Sequence, residues 1–297
     1  MDLLYGLYLS STSGIFYGLV IALLAVGMSL IYGIMGNINI AHGSFYMVGA
    51  YAAFAGSVML GLQSGIADVF GIAFATLLGM LVFYFVIPSR VKVAFDSRSQ
   101  NRFMILTLGV AYILQEVVSL EFAGQGAPVR ELLSGTILLP GSLYITYQES
   151  LSALISILTF AFLYIFLYRT KTGRGLRAFS QDRETAEAMG VNVVRIATLT
   201  FGIATAMAAL SGVLQASMYS ITPDSAFNGL ITAFIIVTFG GIGSVTGTLI
   251  AGLLYGVIYS VIQFFLPLYS FIVVVIAIYL LLVLRPSGLL GKIVERA

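Results

Sequence analysis

The sequence predicts an all-α polytopic membrane protein with about eight or nine membrane-spanning helices, some of them broken. Three observations carry that reading. First, the 297 residues are 60% hydrophobic and only 9% charged, with a mean hydropathy of +1.05. A soluble domain carries roughly 25% charged residues, so this chain cannot cover itself with a solvated surface. Second, apolar runs of about 20 residues recur along the chain, the length that crosses a bilayer as a helix. Third, thirteen of the fourteen lysines and arginines fall in three short regions, as in a chain that threads a membrane repeatedly.

In order, the apolar runs predict spans over 14–35, 38–60, 65–87, 103–122, 150–168, 196–218, 229–244, 248–266 and 268–284. The span 229–244 is short and interrupted by glycine. No basic residue precedes Arg90. Arg90, Lys92, Arg98 and Arg102 share one loop, and Arg169, Lys171, Arg174, Arg177, Arg183 and Arg195 share a second. Arg285, Lys292 and Arg296 form the tail. The positive-inside rule places all three regions in the cytoplasm and the N-terminus outside. Nine crossings satisfy this parity. The exception, Arg130, sits in the 123–149 loop with Glu131 and Glu149, expected outside. The opening MDLLYGLYLSSTSG lacks the basic region of a cleavable signal peptide, so none is expected. The chain reads as a single membrane domain over 1–297.

Composition also excludes chemistries. With no cysteine, thiolate and disulfide chemistry is excluded, and one histidine excludes a multi-histidine metal site. No metal, no catalytic residue and no bound cofactor are expected. No GxxxxGK[ST] motif occurs, so this chain does not hydrolyse ATP itself.

Two glycine-bearing breaks interrupt the apolar pattern. NINIAHGS at 37–44 holds Asn37, Asn39 and the single histidine, His42, followed by Gly43. Gly240-Gly241-Ile242-Gly243 forms the second. Broken helices offer N–H groups to a carboxylate and carbonyls to an ammonium, without buried charge. The topology puts both breaks toward the cytoplasmic half, as gate or exit elements. The glycines equally suit close helix packing, and His42 equally suits a simple backbone cap. A hydrolase centred on His42 lacks a local acid, since none lies between Asp2 and Asp68. Glu116, about 20 Å into its span at the helical rise, is an intramembrane ionisable group and so a pathway candidate; a hydrated position near the helix end is the alternative. Ala204, Ala208, Gly212 and Ala216 form a small-residue stripe for helix contact.

The polar loop 169–195, RTKTGRGLRAFSQDRETAEAMGVNVVR, is long for a connector in so apolar a chain. Its centre predicts an amphipathic helix over 176–190. Ser180 or Asp182 caps it, Gly190 stops it, and Leu176, Phe179, Ala186 and Met189 share one face. It suits either a solvated helix at the headgroups or a docking helix for a cytoplasmic partner.

GRGLRAFSQDRETAEAMGVNVVRIATLTFGIATAMAALSGVL, LIYGIMGNINIAHGSFYMVGAY and TFGGIGSVTGTLIAGLLYG closely resemble three signatures of branched-chain amino acid ABC importer permeases of the LivH type. They occur in family order, and the resemblance covers nearly the whole chain. It implies the ABC importer permease fold and a place in the bacterial inner membrane. It implies pairing with a second homologous permease, two cytoplasmic ATPase subunits that use ATP and Mg, and a periplasmic substrate-binding protein. It makes 176–190 a coupling helix, with Arg177, Gln181, Asp182, Arg183, Glu184, Met189 and Gly190 as its contact residues. It makes Asn37, Asn39, His42, Gly43, Glu116, Gly240, Gly241 and Gly243 candidates for the pathway or gate. The expected cargo is branched-chain or other hydrophobic amino acids. A passive channel, or a permease for urea or short amides, is the alternative.

Overall fold

The computed structural model describes residues 3–86, 97–139, 143–284 and 288–290. Arg90, Lys92 and the tail residues Arg285, Lys292 and Arg296 lie outside them, as do the side chains of Arg98 and Glu184. Among the described residues the chain forms eleven α-helices: α1 Leu3–Met35, α2 His42–Val58, α3 Ser64–Val86, α4 Ser97–Glu121, α5 Tyr147–Arg169, α6 Lys171–Gln181, α7 Arg183–Ala188, α8 Val193–Ala216, α9 Ser225–Gly240, α10 Val245–Phe265 and α11 Ser270–Leu284. Six of them are long and apolar enough to cross a membrane: α1, α3, α4, α5, α8 and α10. The apolar helix α9 is shorter, and α2 has 17 residues.

Helices α1 and α8 form the centre. In their most apolar windows 78% and 72% of residues are buried, against 17% for α4. They run antiparallel. The Ser211 hydroxyl donates to the Val20 carbonyl at 2.8 Å, and a Cβ on Gly27 would stand 2.8 Å from the Ala204 carbonyl oxygen. Ala204 and Ala208 are fully buried. The small-residue stripe therefore does serve close packing, but it serves two neighbours, because Gly212 abuts the backbone of Tyr46 in α2. Lipid supplies little hydrophobic drive between helices, so close backbone approach has to supply the attraction. The same device joins α1 to α10, where Gly14 and Gly18 face Gly252 and Gly256.

The sequence-based boundaries need three corrections. Helix α1 begins at residue 3, eleven residues before the expected start, because the polar opening SSTS is helical with Ser10 and Thr12 bonded to carbonyls four residues back. The 123–149 loop holds a β-hairpin, Thr136–Leu139 against Leu143–Thr146, ended by a capping box in which Thr146 and Glu149 bond reciprocally. Finally, the expected single helix over 176–190 is two helices, α6 and α7. Asp182 between them is extended, and its carboxylate caps the Thr185 N–H at 3.1 Å. An aspartate competes for nearby backbone donors, and here it wins over helix continuation.

Candidate functional site

The first break turns inward. After α1 ends at Met35, Gly36 adopts a left-handed φ of +68°, and residues 37–41 return alongside α1. Helix α4 tracks this return on its other side. The Gln100 side chain donates to the Gly36 carbonyl at 3.1 Å, and the Ile40 N–H donates to Thr107 Oγ1 at 3.2 Å. Ser44 then donates to the Ala111 carbonyl at 3.3 Å. The contacts on α4 climb steadily, so the segment rises while extended.

His42 fixes how deep it goes. Its Nε2 donates to the Leu24 carbonyl at 2.9 Å. Leu24 lies eleven residues before the end of α1, about 16 Å at 1.5 Å per residue. Helix α2 therefore starts near the middle of the bundle and is a half-helix. Asn37, Asn39 and His42 are 1%, 0% and 0% exposed. The Asn37 amide donates to the Met35 carbonyl, and Asn39 Oδ1 accepts from the Ala41 N–H, both at 3.1 Å. These are the local backbone bonds a helix break requires. Two polar atoms remain without a partner, His42 Nδ1 and Asn39 Nδ2. Because a carbonyl only accepts, the neutral His42 ring carries its proton on Nε2, leaving Nδ1 as an acceptor.

A second half-helix meets the first. Residues 217–224 follow α8, held by the Ala127 N–H to the Ile221 carbonyl at 2.8 Å. They lead to α9, whose first turn reaches the level of His42. A Cβ on Gly43 would overlap the carbonyl oxygen of Ala226 and crowd Leu230, and Gly229 stands near the Leu24 side chain. Helices α2 and α9 thus begin at one depth and leave in opposite directions. Their N-termini, with positive dipole ends, lie side by side at the centre; the first-turn N–H groups of His42, Ser44 and Phe45, and of Ser225, Ala226, Phe227 and Asn228, are bonded to carbonyls of the preceding turn.

The glycine-rich break lies elsewhere. Helix α9 ends at Gly240, and Gly241 (φ +98°) and Gly243 (φ +81°) turn the chain into α10. Ser244 caps α10 through the Gly247 N–H at 3.1 Å. A Cβ on Gly240 would overlap Gly247 and Thr248, and one on Gly33 would lie 3.1 Å from the Gly243 oxygen. Gly240 is thus a packing glycine within a tight reversal, against the end of α1. The candidates separate into two groups: Asn37, Asn39, His42 and Gly43 run from the end of α1 to mid-bundle, while Gly240, Gly241 and Gly243 form the reversal. Glu116 joins neither, since it occupies the exposed face of α4. Thr107, 1% exposed, and Gln100 are partners of the break that sequence reasoning passed over. Their signal was polar residues on one face of a sparsely polar helix.

The loop candidates gather on α6 and α7. Leu176, Phe179 and Ala186 are buried, but Met189 is 81% exposed rather than on that buried face. The Arg177 guanidinium sits 4.6 Å from the centre of the Tyr168 ring. Gln181 is exposed and Arg183 half-buried. Gly190, at φ +85°, has nothing within 4 Å of where a Cβ would be, as fits a helix stop. Helix α6 packs on α1, α5 and α8, so this surface is joined directly to the core.

Among the described residues no three His, Cys, Asp or Glu residues cluster to hold a metal. Comparison with known proteins points one way. The chain is 31% identical to the high-affinity branched-chain amino acid transport system permease protein LivH of Escherichia coli (strain K12), over 94% of each chain. It is 32% identical to the corresponding permease protein BraD of Pseudomonas aeruginosa, again over 94% of both. More distantly it resembles LivM of Escherichia coli, 23% identical over 90% of this chain and 67% of that one. No solved structure matches. Residues 10–284 match the family model for the permease component of the branched-chain amino acid transport system; this chain belongs to that family of ABC transporter permeases, multi-pass proteins of the membrane.

Proposed function

We propose that the chain, as one permease domain over 1–297, carries branched-chain or other hydrophobic amino acids through the bacterial inner membrane. Import is driven by ATP hydrolysed, with Mg, on two separate ATPase subunits, while this chain binds no cofactor. A second homologous permease completes the pathway, a periplasmic binding protein delivers cargo, and the N-terminus faces outward with the C-terminus in the cytoplasm.

The observation that carries the reading is the meeting of α2 and α9 at mid-bundle, with Gly43 against Ala226. A zwitterion is costly to strip of water. Paired half-helix N-termini offer its carboxylate two positive dipole ends without a fixed charge. Asn37, Asn39, His42 and Gly43 shape this gate, and the Gly240–Gly243 reversal lets α9 and α10 move against α1. Glu116 serves at the rim. On the other surface, α6 and α7 take the push of the ATPases, through Arg177, Gln181, Asp182, Arg183, Glu184, Met189 and Gly190. Facing half-helices would also suit a passive channel for urea or short amides, but a channel has no use for a docking element packed on the core.

Reconstituted uptake tests this. Vesicles holding the complete transporter and the binding protein accumulate amino acid only with internal or external ATP available to the ATPases. Uptake that proceeds equally without ATP and without the binding protein overturns the importer reading.

A further inference from the structure

A cavity of about 390 Å³ opens at the basic end of the bundle, between α1, α5, α6 and the α9–α10 reversal. Its size falls within the roughly 300–1,000 Å³ of small-ligand sites. Its lining is divided. Leu163 of α5 and Leu249 of α10 give it apolar walls, while Ser29, Arg177 and Thr246 give it polar ones. Tyr168, on which the Arg177 guanidinium lies, is half-exposed at its edge.

Three features of the polar end point to one kind of ligand. Among the described residues Arg177 is the cation that lines the cavity and no carboxylate lines it, and Arg177 Nε is buried without a hydrogen-bond partner. The first turn of α10 enters it at Val245 and Thr246, and only the Gly247 N–H of that turn is capped by Ser244. Ser29, fully buried, presents a hydroxyl with no partner. A guanidinium fork, a helix N-terminus and a free hydroxyl together suit a phosphate. The leucines below them suit alkyl chain, and α5 and α10 carry large exposed apolar residues for the rest of it, Tyr164 and Ile250 among them.

We propose that this cavity is a binding site for an anionic glycerophospholipid of the leaflet at the basic end. Its phosphate sits between Arg177, Ser29 and the α10 N-terminus, and its acyl chains run along α5 and α10. Basic pockets between membrane helices commonly take such headgroups. The site touches α6 and the reversal at once, so the bound lipid ties the cytoplasmic-type loop to the end of α1. The site does not depend on which cargo is carried.

The test uses the full purified chain with its copurifying partners, stripped of lipid and titrated with phosphatidylglycerol, phosphatidylcholine or glycerol 3-phosphate. Native mass spectrometry reads what is retained. Phosphatidylglycerol is expected to stay bound at one per chain, and phosphatidylcholine at least tenfold more weakly. Arg177→Gln lowers phosphatidylglycerol retention at least tenfold, and Arg177→Lys about threefold. Thr246→Trp, at the exposed rim, blocks retention while the thermal midpoint stays near wild type, and it decides the matter if Arg177→Gln fails to fold. Unchanged retention in Thr246→Trp and Arg177→Gln overturns the proposal. So does equal binding of phosphatidylcholine, whose phosphodiester is balanced by its own choline cation, which makes this a site without preference for an anionic lipid. Displacement by glycerol 3-phosphate alone reduces it to a phosphate site, and displacement by an amino acid makes it an exit vestibule; either refutes the lipid.

Discussion

The two half-helices reach the same depth by different means. In the segment before α2, Asn37, Asn39 and Ala41 are buried and Gly36, Ile38 and Ile40 partly buried, and its bonds come from its own side chains and from α4. The segment before α9 is looser. It is held by the 125–132 loop, by Gln148 donating to Ser217 at 2.7 Å, and by a 3.5 Å contact between Gln115 and Asp224. Ser217, Tyr219, Ser220, Thr222 and Asp224 give it a polar sequence, partly exposed. One entry thus buries its polar side chains, with Asn39 Nδ2 and His42 Nδ1 unpartnered, and the other is wet and held from outside. A dry break leaves buried polar groups orphaned if it moves alone, whereas a wet one can exchange its partners for water. On the gate proposed above, residues 217–224 are therefore expected to yield and 36–42 to stay.

Five predictions press on that contrast, from the largest effect to the smallest. Gly43→Val forces a side chain against the Ala226 carbonyl. Overpacking costs roughly 1–3 kcal/mol, so the detergent thermal midpoint falls and uptake disappears. Next, His42→Leu removes the bond to Leu24, at a cost of about 1 kcal/mol or more. Uptake is expected to fall about tenfold with membrane insertion intact, while the changes Thr222→Ala and Asp224→Ala in the wet region cost less than threefold. Equal losses on both sides would erase the asymmetry. Asn37→Leu and Asn39→Leu fall between these, impairing transport more than assembly; normal uptake kinetics would leave them as packing residues.

Asp182→Ala removes the cap of α7, worth roughly 1 kcal/mol. ATPase activity should then continue while uptake per ATP drops severalfold, as it should with charge reversal at Arg183 or bulk at Gly190. Unchanged coupling in all three would detach the docking role from α6 and α7. The smallest effect belongs to Glu116→Gln. Its place on the exposed face of α4 predicts uptake within twofold of wild type, and a larger loss would mean that a neighbouring permease makes α4 part of the pathway.

The long apolar helices were legible because such runs have few alternatives in lipid, although six of the described helices, against nine expected spans, are long and apolar enough to cross a membrane. Asn37, Asn39 and His42 were legible as a break for the same reason: three polar side chains stood inside such a run. What the residues did not reveal was direction. Sequence places the break at the basic end of α1, and only the His42 to Leu24 bond shows that the chain turns back to mid-bundle. The entry to α9 was harder still, since a polar stretch such as 217–224 reads as an ordinary surface loop. The hinge at Asp182 escaped because α7 has six residues, too few for periodicity to separate it from α6. Gly240 and Gly241 illustrate a further limit, for glycine marks both a turn and a close contact, and here adjacent glycines do one each.

Helix α1 has one more consequence. Thirty-three residues make a rod about 50 Å long, against a hydrocarbon layer of roughly 30 Å. Hiding it inside that layer would require leaning it about 53° from the normal, beyond the 0–40° or so that membrane helices show. Its far end is pinned beside Gly243. The opposite end must therefore stand clear of the oil, lifting Tyr8 and its neighbours through the headgroups as a short post on the surface away from the basic loops.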